Sequence, residues 1–444
     1  MTVTAAFTPS DPAFVADPYP AYGRLRAAGR VLYDPGSDHW LVPHHADVNA
    51  LLRDRRFGRT YLHVASHAEM GRPEEPEELG PFWHLIRNGM LDREPPDHTR
   101  LRRLVAKAFT PRMVERLRDR LQARVDRLVD GLAEAGGGDL VAGLAEPLSV
   151  AVISDLLGVP EADRPLLRPW SAQICGMYEV DPAPDAGRVA SRAATEFSEY
   201  LRGLSRARRA DPADDLVTAL TQVVDGGDQL TEDELIGTVV LLLNAGHEAT
   251  VNFTGIGWWQ LFRHPGQLDR LRQDPALVPR AIDELLRYDT PLQMFERWVL
   301  EDVELAGVAV PKGAELGLLF GSANRDPATF PDPDRLDLAR PTAPQHLSFG
   351  AGIHYCLGAP LGRLELELAF GTLLRRLPRM ELAAEPRWKP TYILRGLESL
   401  RVTTGAGSAA RVPPKSSTAG GSAARVPPTS STAGGSAARV PPRA

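Results

Sequence analysis

Only two cysteines occur among the 444 residues, and one of them, Cys356, lies in the glycine-rich stretch FGAGIHYCLG. A thiolate can serve as a nucleophile, a redox group or a metal ligand. Nucleophilic use requires a base, and His354 is a candidate. A structural zinc requires three further Cys or His ligands, of which the neighbouring chain offers only His346 and His354. Ligation of haem iron requires one thiolate, and a buried structural cysteine requires no partner, so both stay open.

The residues around Cys356 favour the haem interpretation. Gly350, Gly352 and Gly358 permit a tight turn and a close approach of the backbone to a flat cofactor. A helix predicted to begin near Leu357 would direct the positive end of its dipole at the thiolate. The sequence contains no Cys-x-x-Cys pair, which argues against a dithiol redox couple. A buried structural cysteine is the alternative.

The longest predicted element is a helix that begins after the N-cap Thr231, with Glu234 completing a capping box, and that ends at His264. About 33 residues at 1.5 Å each give a rod of roughly 50 Å, the width of a whole domain. Polar residues from Asn244 to Thr250 follow an apolar run, and unpaired polar groups would cost free energy there. They indicate either a solvated side or a local opening of the helix beside a reactive site.

The remaining pattern is mainly helical, with few and short strands. Residues 30–42 are typical of a β-hairpin around DPGSD, and residues 297–320 of another around PKGAE. We predict a mainly α fold with small β-sheets, in one large domain over residues 1–404 that is built around something in its centre. Residues 405–444 contain a 14-residue repeat rich in Gly, Ser, Ala and Pro, and we predict a disordered tail. This tail either has no function or tethers an acidic partner.

The composition is that of an ordinary globular protein, with 43% apolar and 24% charged residues. No apolar run reaches the roughly 20 residues that cross a bilayer, and the N-terminus lacks the pattern of a secretion signal. With two cysteines and no export signal, we predict a cytoplasmic protein. The net charge of −6 and the lack of a basic stripe give no support to nucleic-acid binding.

The cysteine segment resembles the haem-binding signature of the cytochrome P450 family, Phe-x-x-Gly-x-x-x-Cys-x-Gly. Phe349, Gly352, Cys356 and Gly358 match the pattern, with His354 where the family commonly has Arg. Three further stretches resemble family motifs in the family's order along the chain: REPPDHTRLRR, AGHEAT and DELLR. The resemblance covers nearly the whole chain before the repeats, and it is to the soluble actinobacterial type.

The resemblance implies haem b bound by Cys356 inside one haem-enclosing domain, with the long helix beside the cofactor. It also implies a buried Glu284–Arg287 pair behind the haem, locked by Arg335 or Arg340. From the residues alone, that pair would be a surface ion pair worth under about 1 kcal/mol. Four positively charged side chains are expected to face the two haem propionates. The other implied cofactor contacts are the propionate ligands His98, Arg102, Arg297 and His354, and Phe349, Gly350 and Gly358 of the cysteine turn.

The resemblance further implies insertion of one oxygen atom from O₂ into an unactivated bond, with the thiolate ligand favouring O–O cleavage. Glu248 matches the family's acid and is our candidate for a proton relay, in a groove that includes Gly246. Most members have threonine at the next position. Here that residue is Ala249, and the hydroxyl belongs to Thr250, about 100° further round the helix. We therefore expect water or a substrate hydroxyl to assist, with Thr250 pointing away from the iron.

The implied substrate contacts are apolar or flexible, which favours a medium or large, mainly apolar molecule. By analogy we expect a polyketide or macrolide intermediate of secondary metabolism, hydroxylated or epoxidised by a monomeric enzyme. The sequence shows no flavin or nicotinamide domain, so electrons are expected from a ferredoxin and its reductase. The implied pocket residues are Leu242, Leu292, Met294, Phe295, Ile393 and Leu394.

Two other functions stay open at this point. A peroxygenase or an oxidative coupling enzyme would use the same haem, and activity with hydrogen peroxide alone would reveal the former. A non-catalytic haem protein that presents or recruits a carrier-bound ligand is the other alternative. The intact acid at Glu248 argues against that second function.

Overall fold

The structure, a computed structural model, describes residues 7–341 and 345–405. Helices dominate these residues, as predicted, and the repeats expected to form a disordered tail lie outside them. The domain boundary at residue 404 therefore stays a prediction. The α-helices are α1 (Pro12–Ala16), α2 (Tyr19–Ala28), α3 (His45–Leu51), α4 (Gly80–Asn88), α5 (Asp97–Ala108), α6 (Pro111–Arg116), α7 (Arg118–Glu134), α8 (Glu146–Leu157), α9 (Arg164–Cys175), α10 (Ala186–Ala210), α11 (Leu216–Gln222), α12 (Glu232–Arg263), α13 (Pro265–Gln273), α14 (Val278–Tyr288), α15 (Phe320–Ala323) and α16 (Ala359–Arg376).

The strands are short and form small sheets. The strands are β1 (Leu32–Asp34), β2 (His39–Val42), β3 (Phe57–Gly58), β4 (Gly137–Asp139), β5 (Met294–Val299), β6 (Val303–Leu305), β7 (Val308–Val310), β8 (Glu315–Leu319), β9 (Glu381–Leu382), β10 (Arg387–Trp388), β11 (Leu397–Ser399) and β12 (Arg401–Thr403). The largest sheet among the described residues has five strands in the order β1-β2-β8-β5-β3, where β2 and β8 run parallel and the other neighbours antiparallel.

The two predicted hairpins are present, the second in altered form. Strands β1 and β2 pair antiparallel around DPGSD. Strands β5 and β8 also pair antiparallel, but β6 and β7 form a hairpin of their own between them. Its turn places Ala306 at φ 50° and Gly307 at φ 79°, the left-handed geometry that closes tight hairpins. The prediction of one simple hairpin over residues 297–320 missed this inner hairpin.

Helix α12 is the predicted long helix and has the predicted ends. The Thr231 hydroxyl accepts a hydrogen bond from the Glu234 N–H, and the Glu234 carboxylate accepts one from the Thr231 N–H, which completes the capping box. The helix ends at His264, where Pro265 begins α13. It is continuous through residues 244–250, so the expectation of a local opening there is wrong.

The main apolar core surrounds α12. Side chains of α5, α7, α8, α10, α14 and α16 join it in one cluster, and α12 also packs against α4 and α9. An apolar helix that is covered on all sides is typical of the centre of a large domain. None of the helices among the described residues combines the length and the apolar character that crossing a membrane requires.

Candidate active site

The predicted cysteine ligand lies in a turn whose shape the backbone fixes. The N–H of Cys356 donates a hydrogen bond of 2.9 Å to the carbonyl oxygen of Phe349. Gly352 has φ 69°, and a Cβ at this residue would lie 2.2 Å from the carbonyl oxygen of Leu52, so only glycine fits. The turn therefore holds the sulfur just ahead of α16.

Burial and the start of α16 together set the electrostatics of the Cys356 sulfur. Burial raises the pKa of the thiol, while the N–H groups of Gly358 and Ala359 and the guanidinium of Arg102 offset part of that rise. The positive end of the α16 dipole lies at the same place. A metal bound to the sulfur would remove the thiol proton, and these donors would then stabilise the negative charge on the sulfur.

Cys356 lines a cavity of about 320 Å³ that it shares with the middle of α12. Thr250 lines this cavity together with Ala249, although helical spacing led us to expect that it turns away from the cofactor. The predicted residues brought together here are Cys356, Phe349, Gly350 and Gly358; His98, Arg102, Arg297 and His354; Gly246, Glu248, Ala249 and Thr250; and Leu242, Leu292, Met294, Phe295, Ile393 and Leu394.

The four predicted propionate ligands include donors that the protein itself leaves unsatisfied. Among the described residues, both ring nitrogens of His98 and Nη2 of Arg297 are buried without a hydrogen-bond partner. Burial, with the neighbouring guanidinium of Arg59, lowers the pKa of Arg297 to about 9. Buried donors without acceptors are costly, and an anionic ligand would satisfy them.

The expectation of four positive charges at this place stays a prediction. Burial lowers the pKa of His98 to about 4 and also lowers the pKa of His354, whereas propionates facing these rings would raise both pKa values. Their ring centroids are 4.3 Å apart, and Nε2 of His354 lies 3.4 Å from a carboxylate oxygen of Glu94. Arg102 and Arg297 carry two of these charges, and two guanidiniums match the two carboxylates of haem. The cysteine turn and this donor set together fit a haem.

Glu284 and Arg287 lie outside the cavity and form a buried network. Arg287 donates two hydrogen bonds to Glu284, of 2.7 and 2.9 Å, and the side chains are each only 3% exposed. Arg340 donates a third, of 3.1 Å, and Arg287 also donates to the carbonyl oxygen of Asn324. The third member is thus Arg340, while Arg335 contributes only its backbone carbonyl.

The Glu248 carboxylate on α12 is held by two neighbouring side chains. Nδ1 of His247 lies 3.4 Å from one oxygen, and Nζ of Lys389 lies 3.4 Å from the other. Burial raises the pKa of Glu248, but the contacts with His247 and Lys389 outweigh this and lower it to about 2. At neutral pH the group therefore carries no stored proton. It can orient water and pass a proton on.

Sequence reasoning missed ionisable residues that line the cavity, among them Arg59 and Glu365, and also Lys389, which contacts the cavity residue Glu248. Arg59 lines the cavity and packs its guanidinium 4.6 Å from the ring centroid of Phe295. Glu365 lines it from α16, and burial raises the pKa of Glu365 to about 8. An acid at a core-facing position of a helical pattern was a signal for Glu365. Lys389 gave no local signal, because its partner is far away in sequence.

Glu179 was also missed, and it braces the loop that carries two predicted pocket residues. Its carboxylate accepts backbone hydrogen bonds of 2.8 Å from Tyr392, 3.1 Å from Ile393 and 3.4 Å from Leu394. Hydrogen bonds to a charged acceptor are stronger than neutral ones. Glu179 therefore fixes the position of Ile393 and Leu394 at the cavity.

Replacing Glu179 by alanine should release this loop. Each lost bond to a charged acceptor contributes about 1.5–3 kcal/mol, so hydrogen exchange of the Tyr392 and Ile393 amides should quicken at least about tenfold. Asp181→Ala, which removes an exposed acid two residues further on, is the matched control and should leave exchange unchanged. Equal exchange rates in both variants would contradict the bracing role.

Comparison with known proteins agrees with this site. Residues 184–381 match the family model described as Cytochrome P450. Cytochrome P450 107B1 of Saccharopolyspora erythraea is 43% identical, over 89% of this chain and 97% of that protein. The 6-deoxyerythronolide B hydroxylase of the same organism is 38% identical, over 88% of this chain and 96% of that protein. The solved structure of the Bacillus subtilis bacillaene polyketide synthase cytochrome P450 PksS has a TM-score of 0.81 at 35% identity, covering 90% of this chain and 100% of that chain.

The fold and the cysteine turn define a haem-binding oxidoreductase with a thiolate ligand. The chain belongs to the cytochrome P450 family. It is a haem monooxygenase of secondary metabolism, which receives its electrons from redox partners and acts on an apolar substrate.

Proposed function

We propose that the protein hydroxylates or epoxidises a medium or large, mainly apolar metabolite such as a polyketide or macrolide intermediate. The observation that carries this proposal is the apolar lining of the 320 Å³ cavity by Leu242, Leu292, Phe295 and Ile393, beside Cys356. The names of the similar 6-deoxyerythronolide B hydroxylase and of PksS support the substrate class.

A titration followed by isotope labelling tests this function. The purified protein is titrated with a set of macrolides and polyketide lactones while the haem absorption band is followed. A compound that shifts the band is then turned over under ¹⁸O₂, and the product should contain one ¹⁸O atom. Unlabelled product would overturn the proposal. Equal turnover with peroxide alone would indicate a peroxygenase, and binding without conversion would indicate a recruitment protein.

We propose haem b as the cofactor, with Cys356 as the iron ligand and the two propionates beside His98, Arg102, Arg297 and His354. When bound, the haem supplies the activation of O₂. The unpartnered nitrogens of His98 and Arg297 support this placement. Extraction of the cofactor into acidified organic solvent and its mass measurement identify the haem type.

We propose a ferredoxin and its reductase as electron donors to a monomeric, cytoplasmic enzyme. Arg363 supports docking of an acidic protein near the cysteine turn, since its guanidinium lies 4.4 Å from the ring centroid of Phe349, although it also lies 3.0 Å from Asp283. The basic side chains of Arg103 and Lys107 are less available to an acidic partner, because both already pair with Asp225. Turnover that depends on added ferredoxin and weakens with rising salt would agree with this, and salt-independent turnover would not.

We propose that Glu248 passes protons to the reaction site, and Glu248→Gln tests this. The amide keeps the shape but cannot relay a proton, so the ratio of product formed to reductant consumed should fall at least about tenfold. Hydrogen peroxide should be released in place of product, which a peroxide assay measures. Glu248→Asp, which keeps the acid, should retain more of the product ratio. An unchanged ratio in Glu248→Gln would end this role.

We propose that water or a substrate hydroxyl replaces the hydroxyl missing at Ala249. Ala249→Thr should then leave the ratio of product to reductant no worse on a substrate without a hydroxyl near the reacting carbon. The measurement is the same as for Glu248, with Thr250→Ala as the comparison. Loss of turnover in Thr250→Ala together with no effect of Ala249→Thr would contradict this, since Thr250 would then supply the hydroxyl.

A further inference from the structure

Three side chains that could bind a metal lie together on the five-stranded sheet, apart from the cysteine turn. His39 on β2 pairs with Glu315 on β8, and Glu296 on β5 pairs with Gly317, two residues beyond Glu315. Because residues two apart in a strand share a face, all three side chains lie on one face of adjacent strands. Their potential ligand atoms lie within 4.8 Å of one another.

The His39 ring is oriented as a metal ligand would be. Its Nδ1 lies 2.7 Å from the carbonyl oxygen of Ser37, which can only accept, so Nδ1 carries the proton. His39 is 7% exposed, and its Nε2 is buried without a hydrogen-bond partner among the described residues. A backbone carbonyl that holds one nitrogen while the other faces a cation is the usual arrangement of metal-binding histidines.

The distances favour a metal ion over a proton between these groups. Nε2 of His39 lies 3.8 Å from an oxygen of Glu296 and 3.9 Å from an oxygen of Glu315. A proton on Nε2 would need an acceptor within about 3.2 Å. Two metal–ligand bonds of about 2.1 Å, in contrast, span up to about 4.2 Å.

The surrounding charges leave the cluster negative. Arg59 offsets part of the charge of Glu296, from which it lies 3.7 Å, but it lies closer to Asp92, at 3.0 Å. Arg72 lies 3.6 Å from Asp38, and among the described residues Glu315 has no ion pair with an arginine or a lysine. A dication would balance the two cluster carboxylates.

We propose that His39, Glu296 and Glu315 bind a divalent transition metal, with Zn²⁺ as the best match. One imidazole nitrogen and two carboxylate oxygens suit zinc better than calcium or magnesium, which prefer oxygen ligands alone. The two glutamate side chains are 27% and 19% exposed, so water completes the coordination. The ion would link β2, β8 and β5, and β5 carries Arg297 at the cavity.

Zinc binding by the haem-loaded protein tests this proposal. After removal of loosely bound metal with a chelator, the protein is equilibrated with Zn²⁺, and zinc and iron are counted by mass spectrometry. We expect one zinc per chain in addition to the haem iron. His39→Gln and Glu315→Gln should each weaken zinc affinity at least about tenfold, and neither should show the gain in thermal stability that Zn²⁺ gives the unsubstituted protein.

The control variant is His84→Gln. The imidazole that it removes is 58% exposed and lies 3.2 Å from Asp233. It should keep the zinc, whereas binding at scattered surface histidines would persist in His39→Gln. An unchanged haem absorption band shows that each variant is folded. A protein that retains no zinc, or a His39→Gln variant that binds zinc equally well, overturns the proposal.

Discussion

Replacing Cys356 with serine is expected to abolish monooxygenation and to move the absorption band of the reduced, carbon-monoxide-bound protein to shorter wavelength. The backbone N–H of Cys356 donates a hydrogen bond to the carbonyl oxygen of Phe349, which fixes the position of this residue, so serine places an oxygen where the thiolate was. A neutral hydroxyl gives the iron far less electron density than a thiolate. Since even the loss of a residue that only supports a metal ligand typically costs 10–100-fold, we expect turnover to fall by at least about 100-fold.

The matched control for this change is Cys175→Ser. Cys175 is the second free cysteine and lines the same cavity. Burial, with the nearby Glu248, raises the pKa of Cys175 to about 12, so its thiol is not a ready ligand. Cys175→Ser should keep the absorption band and most of the turnover. A Cys356→Ser protein with unchanged band and turnover would refute the thiolate ligand.

The parts of the site that the sequence predicts well are those specified by neighbouring residues. The start of α12 follows from Thr231 and Glu234, because a capping box needs only four consecutive residues. The cysteine turn follows from its glycines, of which Gly352 admits no side chain, because a Cβ there would lie 2.2 Å from the carbonyl oxygen of Leu52. In both cases the local pattern and the tertiary structure agree.

The missed parts depend on partners that are distant in sequence. The carboxylate of Glu179 meets a backbone N–H 213 residues away, and Lys389 reaches Glu248 across 141 residues. An exposed acid and a braced buried acid look alike in a sequence. The same holds for electrostatics, since the types of His98 and His354 can be read from the sequence, whereas the burial that lowers the pKa of each cannot.

Breaking the Glu284 network should cost more stability than any other single change considered. One carboxylate accepts from Arg287, Arg340 and the N–H of Asp337. In Glu284→Gln an NH₂ group replaces one oxygen and meets donors instead of offering an acceptor. Removing one partner of a buried ion pair typically costs about 3–5 kcal/mol, so the free energy of unfolding should fall by about that amount.

The chain contains a control with the same spacing. Asp185 and Arg188 are also three residues apart and 3.4 Å from each other, but their side chains are 63% and 70% exposed. Asp185→Asn should therefore cost under about 1 kcal/mol, and urea titration measures the free energy of unfolding of both variants. Haem absorption and far-ultraviolet circular dichroism, followed together, distinguish loss of the cofactor from loss of the fold.

A double variant tests how much of this loss of stability comes from the buried charge that is left without a partner. Glu284→Gln combined with Arg287→Met removes the uncompensated guanidinium, so its loss of stability should be smaller than the sum of the two single losses. The carbonyl oxygens of Asn324 and Pro333, which accept from Arg287, would still lose their donor, so recovery should be partial. Strict additivity, or an effect of Glu284→Gln no larger than that of Asp185→Asn, would mean that burial gives this pair no special role.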